Sequence, residues 1–333
     1  MKQKWIHIIL CCTVVVLAYG AIQNPFSLQY IEVVKTNADI MVETEEDPLY
    51  HKIAEHAEKV NIDAVDARID KVWKALPGYN GLEVDVKQSY DKMKESGIFS
   101  QSKLVFKETK PTVHLNDLPP APTYKGHSEK PMVAFLINVA WGNEYLPDML
   151  TVLKSYDVKA TFFLDGSWVK KNPQLAIMIK EEGHEIGNHA YSHPHMNTLT
   201  TAEIDEELRK TNEVIEAALD VTPAWFAPPS GEFNQSVVER ANAQQMHTIL
   251  WTVDTIDWKK PEPAAMVDRV VTKMEAGSML LMHPTESSAK GLEAMIRGVQ
   301  AKNLQLGTVS ELMDETRLAR KMEVDSNGGT KSD

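Results

Sequence analysis

A regular alternation of short apolar runs and helical patterns, between residues 131 and 310, constrains the fold most strongly. Such alternation predicts βαβ units and therefore a parallel sheet. An open doubly wound sheet and a closed barrel fit the pattern equally well, and in both the chemistry lies at the carboxyl ends of the strands. The predicted strands are 132–140, 160–165, 185–190, 225–229, 247–253, 278–283 and 305–309, and the predicted helices are 144–156, 172–182, 200–219, 234–245, 261–274 and 288–302.

The unusual residues of this region, most of them polar or aromatic, fall where predicted strands end. Because the carboxyl ends of parallel strands meet at one edge of a sheet, we expect these side chains to converge into one cleft. Polar residues of an ordinary surface would instead be scattered over both ends. The residues are Asn138, His189, His193, Ala227, Pro228, Ser230, Gly231, Asp254, Asp257, Trp258 and His283.

A histidine-rich stretch gives the first indication of the chemistry. His189 and His193 are four residues apart, but Gly187 before them and Pro194 after them argue against a helix. We predict a strand that runs out into a loop. Two neutral imidazoles in such a place can gather a divalent cation that keeps one position open for water. The alternative is that these are surface histidines, since the chain contains eleven.

Net charge and cysteine content exclude some classes of partner and stabilising bond. The formal charge of -12 predicts no nucleic-acid partner and no anionic lipid as the main partner, and leaves neutral or cationic substrates open. The two cysteines, Cys11 and Cys12, both lie in the apolar N-terminal run. The folded part therefore has no disulfide framework.

The N-terminus is typical of an exported protein. Lys2 and Lys4 precede an almost wholly apolar run over residues 5–21. We predict that residues 1–25 are a secretory signal peptide or, since the run is just long enough, a membrane anchor. In both cases the rest of the chain is extracellular or in the cell envelope, and any membrane contact is made by this segment. A buried core helix is the alternative.

The apolar pattern of residues 27–117 differs from that of the main domain and predicts a small α+β domain without a catalytic cluster. Helical spacing of apolar residues predicts helices over 47–60 and 65–76. A proline-rich linker follows at 118–130, then the main domain at 131–315 and a polar C-terminal tail at 316–333.

The main domain resembles the polysaccharide deacetylase family, the NodB-homology carbohydrate esterases. The resemblance implies an α/β fold of the distorted (β/α)7 barrel type and removal of acetyl groups from peptidoglycan, chitin or similar glycans. The exported chain with its extra domain is also similar to the sporulation-associated members from bacilli. The matching segments are 159–163, 187–194, 228–231, 254–258 and 280–283.

The family pattern implies a role for each matching residue. His189 and His193 would hold a divalent metal, usually zinc, with cobalt or nickel as other choices. His283 would be the general acid, which Asp254 tunes and orients through a hydrogen bond. The substrate would contact the fourth-strand residues Pro228, Ser230 and Gly231, with the backbone N–H of Ser230 stabilising the oxyanion, and Trp258 and Leu281, which would wall the acetyl pocket.

Three residues depart from the family pattern. Asn138 stands where the family has its general base, and Val139 stands where it has an aspartate that binds the metal. Ala227 replaces the arginine that positions the base. An amide cannot take a proton from water at neutral pH, and a valine cannot bind metal. Without a carboxylate, a buried arginine would lack a partner, so the three changes are consistent with one another.

These departures predict a metal-dependent hydrolase of N-acetylated cell-envelope glycan that is weak or inactive. Losing a positioned base costs on the order of 10²- to 10⁴-fold, and only two imidazoles remain to hold the metal unless His195 is a third donor. The alternative is a non-catalytic glycan-binding or scaffolding pseudoenzyme of the envelope. A metalloprotein for another substrate is a third possibility, for which we find no ligand set.

Overall fold

A computed structural model of the 333-residue chain describes residues 47–318 together with residues 24, 26, 27, 29 and 30. Most of the predicted leader and most of the predicted tail lie outside the described residues. Within the described part, none of the helices is long and apolar enough to cross a membrane. The described chain forms two compact units, one of residues 47–62 and 82–107 and the other of residues 63–81 and 108–318.

The strands and helices are numbered along the chain. The strands are β1 Arg68–Asp70, β2 Lys74–Leu76, β3 Gly81–Val84, β4 Phe106–Thr109, β5 Met132–Val139, β6 Thr161–Leu164, β7 Glu185–Asn188, β8 Trp225–Phe226, β9 His247–Thr248, β10 Val253–Asp254, β11 Met279–Met282 and β12 Gln305–Gly307. The helices are α1 Pro48–Val60, α2 Val86–Met93, α3 Leu146–Ser155, α4 Gly166–Lys171, α5 Pro173–Glu181, α6 Thr201–Leu219, α7 Gln235–Ala243, α8 Pro263–Lys273, α9 Glu286–Gln300 and α10 Val309–Met313.

The first unit contains α1, α2, most of β3 and the first two residues of β4. Its predicted helix over 47–60 is confirmed as α1, which Asp47 caps by accepting the backbone N–H of Leu49 at 2.7 Å. A small apolar core forms this unit's interior, and its buried members are Leu49, Ile53, Ala57, Val84 and Met93.

The helix predicted over 65–76 is wrong, because these residues form the antiparallel hairpin β1–β2. The Asp70 carboxylate accepts the backbone N–H groups of Val72 and Trp73 at 2.7 and 2.9 Å, which turns the chain. Ile69, Val72 and Trp73 had suggested a buried helical face, but all three are exposed. An apolar spacing of three and four residues therefore did not mark a buried face here.

Strands β5 to β12 form one parallel sheet in the second unit, in the order β10-β11-β5-β6-β7-β8-β9, with β12 added beside β5. The first residues of β5 pair with β12, while its later residues pair with β11 and β6. The sheet curls into a distorted (β/α)7 half-barrel with helices outside, which confirms the predicted fold. Predicted helix punctuation is confirmed at α6, where Thr200 and Glu203 form a capping box.

Side chains on β5 alternate between two apolar layers, as the geometry of a strand requires. Val133, Phe135, Ile137 and Val139 pack in the outer layer between sheet and helices. Met132, Ala134 and Leu136 pack in the inner layer with residues such as Phe163, Trp225 and Ala227. The same alternation turns Asn138 towards the barrel interior at the carboxyl end of the strand.

Candidate active site

We call the carboxyl ends of β5, β7, β8, β10 and β11, with the loops that follow them, the mouth. Every residue predicted for the site lies there. Asn138 is on β5, His189 and His193 follow β7, Pro228, Ser230 and Gly231 follow β8, Asp254 ends β10 with Trp258 beyond it, and Leu281 on β11 is followed by His283.

Several non-glycine residues of the mouth adopt left-handed backbone conformations. The φ angles are 60° at Ala190, 56° at His193, 56° at Ser230 and 52° at Ile256. Each such residue costs about 1–3 kcal/mol and persists where the surroundings hold it, which is common in functional sites. Gly231 also has a left-handed backbone, with a φ of 70°. A side chain is excluded there for steric reasons as well, because a Cβ would lie 2.9 Å from the Trp251 ring.

His189 is buried and held in one tautomer. Its Nδ1–H donates to the carbonyl oxygen of Ala227 at 2.7 Å, which leaves the lone pair of Nε2 free. Burial, aided by the charge on His193, lowers the pKa of His189 to about 3. The ring is therefore neutral near pH 7, which is the form that binds metals.

His193 provides the second imidazole of the pair. Its ring centroid lies 5.2 Å from that of His189, with the two ring planes at 72°. His193 is exposed, whereas His189 is 1% exposed. The structure therefore brings the two predicted metal ligands together at the mouth, one buried and one open to solvent.

The residues present do not complete a three-ligand metal site. Val139 is fully buried in the outer apolar layer. In the described ranges, no group of three or more His, Cys, Asp or Glu side chains is arranged to hold a metal ion. His195, the suggested third donor, forms no such group with His189 and His193 among the described residues. Its Nδ1 is hydrogen-bonded to Glu232 at 2.7 Å.

His283 is held by Asp257, which is fully buried. The Asp257 carboxylate accepts the Nδ1–H of His283 at 2.8 Å, its backbone N–H at 2.6 Å, and the Ser288 hydroxyl at 2.6 Å. Burial alone would raise the pKa of Asp257, but the hydrogen bonds and charge of His283, with the Ser288 hydroxyl, hold it below its usual value. Asp257 is therefore ionised, and it leaves Nε2 of His283 available for proton transfer.

The prediction that Asp254 orients His283 is wrong. The Asp254 carboxylate instead accepts the backbone N–H of Ile256 at 2.7 Å. Ile256 has a φ of 52°, and this left-handed turn accompanies the inward position of Asp257. Sequence spacing could not distinguish two aspartates three residues apart after the same strand.

Asn138 is 3% exposed, and its Oδ1 has no hydrogen-bond partner among the described residues. A buried polar atom without a partner costs about 1–3 kcal/mol, so the fold carries a polar group here that the interior does not satisfy. Ala227, at the position of the family's arginine, is 1% exposed, and its carbonyl oxygen accepts the Nδ1–H of His189.

Trp141 belongs to the mouth and was not predicted as a site residue. Its ring is stacked on His283, with centroids 5.7 Å apart and ring planes at 10°. The available signal was its position directly after the first strand of the sheet.

The remaining predicted residues lie at the mouth, and the structure shows no side-chain hydrogen bond from them to His189, His193 or His283. Leu281, on β11, is 4% exposed. Trp258 is 56% exposed, with the Lys259 ammonium 4.8 Å from its ring centroid. Pro228 is buried and Ser230 exposed. Their roles in substrate binding stay predictions.

A cavity of about 840 Å³ lies at the opposite end of the sheet. It is lined by residues that include Lys130, Met132 and Leu306, at the amino ends of β5 and β12. Its buried Lys130 ammonium is already bonded to the carbonyl oxygens of Glu311 and Asp314, each at 2.5 Å. We therefore locate the candidate site by its polar side chains and not by cavity size.

Comparison with known proteins agrees with the geometry. A family model described as polysaccharide deacetylase matches residues 125–249. The Bacillus subtilis protein YlxY is 51% identical over 320 residues, 96% of this chain and 100% of its own length. The peptidoglycan-N-acetylglucosamine deacetylase of Bacillus cereus is 30% identical over 199 residues, 58% of this chain and 72% of that protein.

Solved structures with similar folds include members of a carbohydrate esterase family. A CE4 family pseudoenzyme from Bacillus anthracis is 52% identical, with a TM-score of 0.75 over 82% of this chain and 97% of that one. A mutant of the same pseudoenzyme, described as having restored enzymatic activity, is 51% identical, with a TM-score of 0.75 over 81% of this chain and 99% of that one.

Proposed function

Because the chain belongs to the polysaccharide deacetylase family, we propose that it binds N-acetylated cell-envelope glycan in the deacetylase cleft and deacetylates it weakly or not at all. One observation carries the proposal: the interior-facing position at the end of β5 is a buried amide, Asn138, in a mouth that keeps the other reacting groups. Those groups are the His283–Asp257 pair and the two imidazoles His189 and His193.

Deacetylation needs a group that takes a proton from the attacking water and a group that gives one to the leaving amine. His283, oriented by Asp257, can supply the proton through Nε2. Asn138 cannot accept one, since its amide is not basic at neutral pH. The acid half of the mechanism is therefore present without the base half, which is expected to cost on the order of 10²- to 10⁴-fold in rate.

The family is metal-dependent in general, and we propose that His189 and His193 hold a divalent ion weakly. Zinc is the first choice and cobalt or nickel the next. The neutral buried ring of His189, fixed by its bond to Ala227, supports the proposal. Two protein ligands are one fewer than catalytic zinc normally has, so we expect low affinity.

Zinc bound per chain after dialysis measures this directly. We expect the wild type to retain some zinc. The His189→Ala/His193→Ala variant should bind zinc at least about tenfold more weakly and retain less of it, because each substitution removes a direct ligand. His195→Ala is the matched control, since it removes an imidazole from the same loop that bonds Glu232 instead. Equal zinc content in the wild type and the double variant would contradict the assignment.

We place the protein in the cell envelope. The predicted leader over residues 1–25 supports export, and related proteins are named for action on peptidoglycan. The substrate or ligand would then be peptidoglycan or a chitin-like glycan. The net charge of -12 supports the expectation of no nucleic-acid partner. Membrane contact would be limited to the N-terminal segment if it is uncleaved. A purely glycan-binding or scaffolding role is the limiting case, and similarity to a pseudoenzyme favours it.

Binding and hydrolysis measured on the same samples test the function. We expect the wild-type chain to bind insoluble peptidoglycan or chitooligosaccharides, and to release acetate at least about 10²-fold more slowly than the Bacillus cereus deacetylase assayed in parallel. The reason is that the missing base affects the chemical step and not the surface of the cleft. Acetate release at the rate of that enzyme, or no binding to any N-acetylated glycan, would contradict the proposal.

A further inference from the structure

Trp141 is an exposed aromatic residue at the mouth that the protein core does not use. It is 46% exposed and belongs to none of the buried apolar clusters of the described residues. Indole rings carry a large apolar surface, and leaving one in water at the edge of a cleft is a feature of binding sites.

The backbone fixes the position of Trp141. Gly142, the next residue, has a φ of 85°, and a Cβ there would lie 2.0 Å from the carbonyl oxygen of Pro284. The loops after β5 and β11 therefore approach too closely for any other residue. Asn143 anchors the loop further, since its Oδ1 accepts the indole N–H of Trp168 at 2.6 Å.

This close approach sets the indole against the proposed acid. The Trp141 and His283 rings are nearly parallel, at 10°, with centroids 5.7 Å apart. Near-parallel rings with centroids 5.7 Å apart are offset, so the imidazole overlaps only part of the indole and Trp141 stays 46% exposed. The exposed part of the ring is held in place before any ligand arrives, which lowers the entropy cost of binding.

Trp141 also has a counterpart across His283. Strands β10, β11 and β5 are neighbours in the sheet, and Trp258, His283 and Trp141 follow them in that order. Neighbouring strands are about 4.8 Å apart, so the starting points of the two indole-bearing loops are roughly 10 Å apart. The two loops that carry exposed indoles thus start on either side of the strand that His283 follows.

We propose that Trp141 is a sugar-binding platform whose exposed ring surface stacks on the apolar C–H face of a pyranose ring. β-Linked N-acetylhexosamine chains fit this surface, since their equatorial substituents leave axial hydrogens on the ring faces. A ring seated on Trp141 would bring a neighbouring acetamido group to His283. The inference rests on the proposed glycan binding and adds the residue that positions the chain.

Affinity for a chitooligosaccharide, measured by calorimetry on the full chain, tests this assignment. We expect Trp141→Ala to weaken binding about tenfold and Trp141→Phe to weaken it less than about threefold, because a phenyl ring keeps part of the stacking surface. Trp73→Ala is the matched control, since Trp73 is an exposed tryptophan of the same unit on the β1–β2 hairpin.

The outcomes separate this inference from the proposed function. Unchanged affinity in Trp141→Ala, or equal losses in Trp141→Ala and Trp73→Ala, would overturn the role of Trp141 and leave glycan binding intact. Loss of affinity in Trp141→Ala with retention in Trp141→Phe supports it even if the alanine variant is less stable. Failure of the wild type to bind would overturn both.

Discussion

The double substitution Asn138→Asp/Ala227→Arg is expected to raise acetate release from N-acetylated glycan by on the order of 10²- to 10⁴-fold over the wild type. A carboxylate at residue 138 would face the barrel interior, where Asn138 Oδ1 now has no partner among the described residues. It would supply the proton acceptor that the mouth lacks. The measurement is acetate release with zinc, cobalt or nickel in excess, which offsets weak metal binding.

The two substitutions should depend on each other. Asn138→Asp alone places a carboxylate where the wild-type residue is 3% exposed, which raises its pKa and keeps it protonated near neutral pH. Ala227→Arg alone buries an unpaired cation, which costs about 3–5 kcal/mol. We therefore expect a smaller gain from the first, loss of stability from the second, and recovery of both properties in the pair.

Two further variants control this experiment. Adding His283→Gln to the pair should abolish most of the gain, since the leaving amine would lose its acid. Adding Val139→Asp should strengthen metal binding, although this position is fully buried in the outer apolar layer and the new carboxylate would need the metal as its partner. A double variant that stays silent with all three metals would contradict the account of the missing base.

Asp257→Ala is expected to lower the free energy of unfolding of the second unit by about 3–5 kcal/mol. Three donors lose their acceptor in a buried place: the Nδ1–H and backbone N–H of His283 and the Ser288 hydroxyl. Asp254→Ala is the matched control, with an expected loss of about 1 kcal/mol, because its half-buried carboxylate accepts only the N–H of Ile256. Urea unfolding followed by tryptophan fluorescence reports the second unit, which holds every described tryptophan.

The pH dependence of the free energy of unfolding shows whether Asp257 stabilises the fold through its charge or only through its packing. Its folded pKa lies below the usual value, so its stabilisation is present above the unfolded pKa and is lost as the pH falls through the folded one. The stability gap between the wild type and Asp257→Asn should therefore persist from about pH 5 to 8 and narrow below about pH 4. Equal losses in Asp254→Ala and Asp257→Ala would contradict the assignment of the partner of His283.

The parallel sheet could be predicted because its strands are buried on both faces. Strand β5 packs against helices on one side and the barrel interior on the other, so its residues form one continuous apolar run. The positions of His189 and His283 followed from the ends of such runs. Periodicity could not choose between barrel and open sheet, because that depends on the register that joins β5 to β6, β11 and β12.

Other features depend on backbone turns that the sequence does not encode locally. Asp254 and Asp257 have different partners because Ile256, between them, adopts a left-handed conformation. Isoleucine is a β-branched residue that rarely adopts this conformation. The close approach of Gly142 to Pro284 joins residues that are far apart in sequence and stacks Trp141 on His283. In the β1–β2 hairpin, three exposed apolar residues imitated a helical face.

Glycan affinity and acetate release, measured side by side for the wild type and Asn138→Asp/Ala227→Arg on one oligosaccharide, test the central claim most directly. If the wild type lacks only the proton acceptor, the two proteins should have glycan dissociation constants within about threefold of each other. The double variant should release acetate at least about 10²-fold faster. Equal rates at equal affinity would show that the absent carboxylate is not what limits this protein.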